Sequence, residues 1–321
     1  MNIPNKRLYK WIGGKNWLST TLKEETQKSL TKSSENIDIY LEPFIGGLGS
    51  FLSILPILLE NNIKKFILND INSTVINLLR EIREDPNNLI KEYTKLENTF
   101  YSNYPENIEF LHTTRDKVQI KILLENANNF FKEKKEEFNK IKLKNKINKE
   151  DIKRLNVLFL FLMQNSFNGV YRENLKGEFN TPFNWNNKKN SIDKVQVILD
   201  YHNLFNELDI VFENMDIFEF LKKYKKNNSF IYLDPPYINK NEKENRYNKD
   251  TFNLEKQNKL LNELKNFKNY IYSNHSLEFI VNYFNKQNNC SYIEVQRRNI
   301  MTSKKENRSN TFKEILGIKI T

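Results

Sequence analysis

Hydrophobic positions along the chain fall into two alternating rhythms. Short apolar runs at Ile37 to Leu41, Phe66 to Leu68, Ile210 to Phe212, Phe230 to Leu233 and Tyr270 to Tyr272 predict buried strands. Longer segments with three- and four-residue apolar spacing predict helices. These run from about Gly49 to Asn61, 73 to 100 (with Val75, Leu78, Leu79 and Ile82 on one face), Ile152 to Gln164, Asp216 to Lys226, Leu254 to Lys265 and Leu277 to Phe284. Tyr292 to Arg297 and Ile315 to Ile320 read as two closing strands. Strands alternating with helices predict an α/β, doubly wound, Rossmann-like sheet. A mainly helical stretch interrupts it, so residues 1–72 and 206–321 are expected to form one domain and 73–205 an inserted second one. Residues 1–36 are basic and polar, 165–190 read as loop and turn, and 238–251 as a charged loop.

Composition changes this picture little. A chain of 321 residues, 38% hydrophobic and 28% charged, can bury a core in one large domain or two unequal ones. No apolar run approaches the ~20 residues that span a bilayer, and the first residues lack the apolar core of a signal peptide. The expected location is the cytoplasm, with no membrane partner. The formal net charge of +11 suits a polyanion. Abundant Lys, Asn and Ile are also what an AT-rich coding sequence yields, so charge argues only modestly for nucleic acid. Lysine is densest from 130 to 154, with interspersed glutamate. That stretch reads as a solvated helical pair or a mobile excursion, with direct DNA contact as the alternative. The single cysteine, Cys290, allows neither an intramolecular disulfide nor a cysteine-based zinc site. His112, His202 and His275 lie far apart, and no metal is expected.

Two strand ends carry candidate chemistry. The first apolar run enters the turn Glu42-Pro43-Phe44-Ile45-Gly46-Gly47, whose glycines let backbone approach a ligand closely ahead of a helix N-terminus. Asp70 ends the next strand, where a carboxylate suits ribose hydroxyls. The absence of G-x-G-x-x-G spacing argues against a nicotinamide cofactor. Farther on, Asp234-Pro235-Pro236-Tyr237 follows a fully apolar strand. Two prolines fix a stiff corner there, with a carboxylate before it and an aromatic ring after it.

Asp234-Pro235-Pro236-Tyr237 resembles the catalytic motif of amino-directed DNA methyltransferases. Lys10-Trp11-Ile12-Gly13-Gly14-Lys15 resembles the cofactor motif of the Dam-like adenine methylases, and Glu42 to Gly47 their methionine-binding turn. Asn168 to Phe183 is similar to the family's DNA-recognition segment. Ser273-Asn274-His275 and the run from Asn307-Arg308 to Glu314-Ile315-Leu316 match further landmarks. These occur in the order of the alpha subgroup and span nearly the whole chain. The resemblance implies a methyltransferase sheet with an inserted DNA-recognition domain, S-adenosylmethionine as methyl donor, S-adenosylhomocysteine as product, and adenine N6 as target. It implies that Trp11, Lys15, Glu42, Pro43, Phe44, Gly46, Asp70 and Asp234 bind the cofactor, with Asp216 holding the adenine amine. The family carries Phe directly after that Asp; here Ile217 stands there and Phe218 is next. It implies double-stranded DNA as partner, a monomeric enzyme, and a candidate pairing with a restriction endonuclease.

A mechanism follows from residue chemistry. Asp234 and the Pro235 carbonyl can each accept one hydrogen of an adenine amine, favouring the positive charge that develops on nitrogen, and Tyr237 can stack on the base. Adenine must leave the duplex to reach such a corner. The resemblance makes Phe167 the wedge, with a core aromatic as the alternative. It places Asn168, Val170, Arg172 and Pro182 at bases. Arg172 could grip guanine, the alternative being phosphate; Lys176, Lys188 and Lys189 read as phosphate contacts. The matches imply a GATC-type site. Rival readings are methylation of cytosine N4 or RNA adenine, and a non-catalytic DNA-binding relic. Cytosine C5 chemistry needs a nucleophilic cysteine, usually after proline, whereas Cys290 follows Asn289.

Overall fold

A computed structural model describes residues 2–11, 13–105, 114, 116–185, 193–225, 228–238, 252–298 and 311–321. In chain order its elements begin with α1 (Ser19–Lys32), β1 (Ile39–Glu42), α2 (Gly49–Glu60) and β2 (Lys65–Asn69). There follow α3 (Ser73–Glu84), α4 (Asn87–Tyr101), α5 (Lys117–Leu123), α6 (Glu125–Lys142), α7 (Lys149–Asn165) and α8 (Lys194–Glu207). The chain then returns to alternation with β3 (Asp209–Glu213), α9 (Ile217–Tyr224), β4 (Ser229–Leu233), α10 (Leu254–Leu264) and β5 (Asn269–His275). It closes with α11 (Glu278–Lys286), β6 (Cys290–Arg298) and β7 (Thr311–Lys319). Two compact units result. One holds Lys15–Ile71 and the described residues from Leu208 onward; the other holds the described residues up to Gly14 and those within Asn72–Glu207.

The first unit is built on a sheet in the order β3-β2-β1-β4-β5-β7-β6. Its strands pair in parallel except β7, which runs antiparallel between β5 and β6. The expected α/β sheet is therefore present. Parallel strands need crossovers, and strands covered on both faces read as continuous apolar runs. Successive residues point to opposite faces. Tyr40, Phe66 and Phe230 thus share one face, where Phe51 of α2 packs on Tyr40 and Phe66. Leu41, Ile67 and Ile231 share the other, in a core with Phe220 of α9, Leu260 and Leu264 of α10, and Phe284 of α11. Where Phe284 lies on β7, only Gly317 fits, because any β-carbon there would overlap the ring.

In the second unit α7 is the central helix. It is buried from Leu155 to Met163 and packs on α3, α4 and α6. A reciprocal capping box between Asn148 and Asp151 starts it. The helix expected over 73–100 is divided at Asp85-Pro86 into α3 and α4. A residue before proline is driven out of the helical region, and Asp85 sits at φ −156°, ψ 103°. Leu8 and Tyr9 are buried in this unit, and the Lys194 ammonium on α8 donates to the Leu8 carbonyl at 2.7 Å. Burial pushes that lysine's pKa down to about 8. Among the described residues no helix is long and apolar enough to cross a membrane, and no group of three His, Cys, Asp or Glu could hold a metal ion.

Candidate active site and nucleic-acid interface

From β1 the chain steps outward through β2 to β3, while β4 and β5 lie on the other side of β1. Ligands of open α/β sheets bind outside the carboxyl ends of strands at such a reversal. Here those ends are Glu42 and, immediately after β4, Asp234. The turn after β1 is held from β2. The Gly46 N–H donates to Asp70 Oδ2 at 2.9 Å, and the Ile45 N–H to the Asn69 carbonyl at 3.1 Å. The Asn69 amide donates to the carbonyls of Pro43 and Met215, each at 3.1 Å, and accepts from the Met215 N–H at 3.0 Å. One buried side chain thereby fixes the loops after β1 and β3 together. Asp216 Oδ1 caps α9 by accepting the Phe218 N–H at 2.8 Å. Ile217 belongs to the core, and the Lys259 ammonium lies 4.0 Å above the Phe218 ring. Phe44 is half-buried and packs edge-on against Phe252.

At the end of β4, Lys15 Nζ lies 2.9 Å from Asp234 Oδ1, 3.9 Å from Glu314 Oε2 and 4.4 Å above the Tyr237 ring. The Lys15 side chain is 3% exposed and that of Asp234 18%, so the pair is largely withdrawn from solvent while the carboxylate keeps an accessible edge. Burial pushes the Asp234 carboxyl above its ordinary range; Lys15 opposes this and Glu314 adds to it. The Tyr237 hydroxyl lies 2.8 Å from Ser273 Oγ and donates to Glu314 Oε2 at 3.1 Å. His275 meets the same ring edge-on. The Pro236 carbonyl accepts from the Gln257 amide at 2.8 Å, and Gln257 in turn accepts from the Tyr272 hydroxyl. The stiffness expected of the two prolines is thus reinforced from α10 and β5. Pro235 is buried within this corner.

In the helical unit, residues Ser166 to Phe183 form an irregular hairpin. It has isolated bridges at Ser166 with Phe183 and Glu173 with Phe179, and Gly177 takes φ +78° at the tip. Phe167 is 48% exposed, so it is not a core aromatic. Asn168 is exposed at φ +56°, Val170 is half-buried, and Lys176 and Pro182 are exposed. Arg172 is half-buried, and its Nε donates to Asn180 Oδ1 at 2.7 Å. Trp11 stacks on Tyr171 of the same hairpin, with centroids 5.6 Å apart and planes 16° from parallel. Lys135 of α6 has its pKa lowered, first by burial, with Glu136 opposing and nearby Lys132 and Arg172 adding to the shift. Lys188, Lys189, His112, Asn307 and Arg308 lie outside the described residues.

The structure thus gathers Lys15, Glu42, Pro43, Phe44, Gly46, Asp70, Asp216, Asp234, Pro235 and Tyr237 in the sheet unit. Trp11 and the hairpin set fall in the helical one. Comparison with known families matches residues 11–301 to the D12 class N6 adenine-specific DNA methyltransferase. The chain belongs to this family. One relative of the methyltransferase, the type II methyltransferase M.MjaIII of Methanocaldococcus jannaschii, is 33% identical over 260 residues. That match covers 78% of this chain and 76% of the relative. The DNA adenine methylase of Escherichia coli is 28% identical over 261 residues, covering 79% and 73%. That of Haemophilus influenzae is 24% identical over 290 residues, covering 88% and 84%. No motif in the methyltransferase sequence points to Asn69 or Gln257, or singles out Glu314. Glu314 was visible only as part of a terminal landmark, and a lone Asn or Gln on an apolar element carries no signal of its own.

Proposed function

We propose that the methyltransferase transfers a methyl group from S-adenosylmethionine to adenine N6 in double-stranded DNA, at a short palindromic site of the GATC type, releasing S-adenosylhomocysteine. The observation that carries this reading is the corner at Asp234. A partly exposed carboxylate is braced by a buried lysine and a pinned tyrosine, beside the point where strand order reverses. The residues fit the cofactor by the chemistry of their donors. Asp70, Asp216 and Asp234 stand just beyond the ends of β2, β3 and β4, as acceptors for hydroxyls and an amine and as partners for a cation, while Glu42, which the resemblance also assigns to the cofactor, is fully buried with both oxygens bonded to Tyr40 and Ser50 and so shapes the turn rather than meeting the ligand. When bound, the cofactor supplies a methyl group already activated by its sulfonium.

The protein's own work is positioning and charge stabilisation. Lys15 opposes the pull of burial on Asp234 and so favours the carboxylate form that accepts one hydrogen of the target amine. The Pro235 carbonyl accepts the other. Tyr237 offers the base the ring face that Lys15 does not cover. In this reading residues 1–72 and 206–321 carry catalysis and 73–205 target recognition. Phe167 fills the gap left by the extruded base, and Arg172 reads guanine with Asn168, Val170 and Pro182 beside it. Lys176 holds phosphate. The enzyme acts as a monomer in the cytoplasm, with a restriction endonuclease of the same system as its candidate partner.

The test is transfer of labelled methyl from S-adenosylmethionine to duplexes with and without GATC, followed by nucleoside analysis. Labelled N6-methyladenine in the first only is expected. Asp234→Ala should lower transfer by about 10²–10³-fold or more, the scale of losing one preorganised polar group, while cofactor binding persists in part. Label on cytosine, label on RNA, or normal turnover by the variant overturns the reading.

A further inference from the structure

The lysine-rich stretch has a use beyond charge. The arms of the hairpin Ser166 to Phe183 are joined by two isolated bridges: the Asn174 N–H to the Glu178 carbonyl and the Asn180 N–H to the Arg172 carbonyl, each at 2.9 Å, make the one beside Arg172, and the Thr181 hydroxyl and the Arg172 side chain add bonds to the Val170 carbonyl and to Asn180. An isolated two-stranded hairpin is marginal at best. The last turn of α6 supplies what a third strand would. The Asn139 amide donates to the Phe179 carbonyl at 3.0 Å and accepts the Phe179 N–H at 2.8 Å. Lys142 Nζ donates to the Gly177 carbonyl at 2.6 Å and to Glu173 Oε1 at 2.5 Å, an oxygen the Tyr171 hydroxyl also reaches. Arg172 lies between the two tied residues Tyr171 and Glu173, and Asn180 across from it follows the tied residue Phe179. The alternation of an extended arm leaves Arg172 on the face opposite Tyr171 and Glu173.

We infer that Asn139 and Lys142 are specificity-determining positioning residues, clamping the recognition hairpin so that Arg172 meets one base geometry. This rests on the proposal that the hairpin reads the target. A bidentate arginine contact discriminates bases only when both bonds form together, and a hairpin free to shift loses that discrimination first. Lys142 is engaged by Glu173 and a carbonyl, so its part is to hold the hairpin rather than to contact phosphate.

The experiment uses the full chain and an unmethylated plasmid of mixed sequence, with N6-methyladenine mapped by sequencing. Duplexes carrying the mapped site and its single-base alterations are then assayed. Asn139→Ala and Lys142→Met should each reduce the kcat/KM ratio between preferred and altered duplexes by about tenfold. The KM for S-adenosylmethionine should stay within about twofold. Lys142→Arg should retain the ratio, and Asn139→Asp, which keeps the acceptor and loses the donor, should fall between. If the alanine or methionine variant does not fold, these two milder variants decide. An unchanged ratio overturns the clamp alone. An equal loss on all duplexes for Lys142→Met, with a shallower salt dependence, makes Lys142 a phosphate contact and overturns its role. A wild-type map without sequence preference overturns the reading of the hairpin, and the clamp with it.

Discussion

Glu42 gives a stability prediction with a defined sign. It ends β1 fully buried, accepting from the Tyr40 hydroxyl at 2.6 Å and from the Ser50 hydroxyl. Burial pushes its pKa up from 4.5 to about 8; the two hydroxyl donors pull it down and Asp234 pushes it further up. The unfolded chain therefore loses this proton near pH 4.5, while the folded protein keeps it to about pH 8. Between those values the folded state binds more protons, so stability falls as pH rises, by at most ~1.4 kcal/mol per unit. Across that window the total is on the order of 5 kcal/mol. Glu42→Gln removes the titration and forfeits one acceptor, a loss of about 1 kcal/mol. The variant should be slightly less stable than wild type at pH 5 and more stable by a few kcal/mol at pH 8. Urea unfolding of both proteins at pH 5, 6.5 and 8 reads the difference directly, because titrations shared by the two proteins cancel. A stability difference independent of pH would refute the burial argument.

Two further substitutions separate binding from packing. Phe167→Ala alters an exposed ring, so unfolding should move by no more than ~0.5 kcal/mol. A duplex with 2-aminopurine at the target adenine should lose most of its fluorescence rise on binding, and an unaltered rise removes the wedge role. Gly317→Ala drives a methyl group into the Phe284 ring and should cost about 1–3 kcal/mol. Phe284→Leu should recover part of that in the double variant, and strict additivity of the two changes would contradict the overlap.

What the chain discloses to a reader of its sequence follows from how each feature is buried. The buried middles of β1, β2 and β4, Tyr40–Leu41, Phe66–Leu68 and Phe230–Leu233, are covered on both faces and so read as apolar runs, and a carboxylate close after such a run is conspicuous. Glu42, Asp70 and Asp234 were found in that way. The helix α1 was not, because its buried face is Leu22, Glu25, Thr26 and Ser29, helical in spacing but almost wholly polar. Charge density concealed what α6 holds in a different manner. Lysines at 130–154 suggest a solvated surface, yet Asn139 and Lys142 spend their bonds on backbone groups more than thirty positions away.

The same separation hides the rest of the Asp234 corner. Asn69 joins carbonyls 26 residues behind and 146 ahead of it. Glu314 is 77 residues from the tyrosine it pins, and no local pattern connects them. It reaches Tyr237 because β7, the last strand in the chain, inserts antiparallel between β5 and β6 and sets Glu314 opposite His275. With β7 at the sheet edge, the pairing that places Glu314 beside β5 would be lost, leaving Lys15 without its second carboxylate and the Tyr237 hydroxyl without one acceptor. The strand order of this sheet is therefore part of the geometry of the proposed active corner: a residue from the last strand completes a corner whose visible motif follows β4.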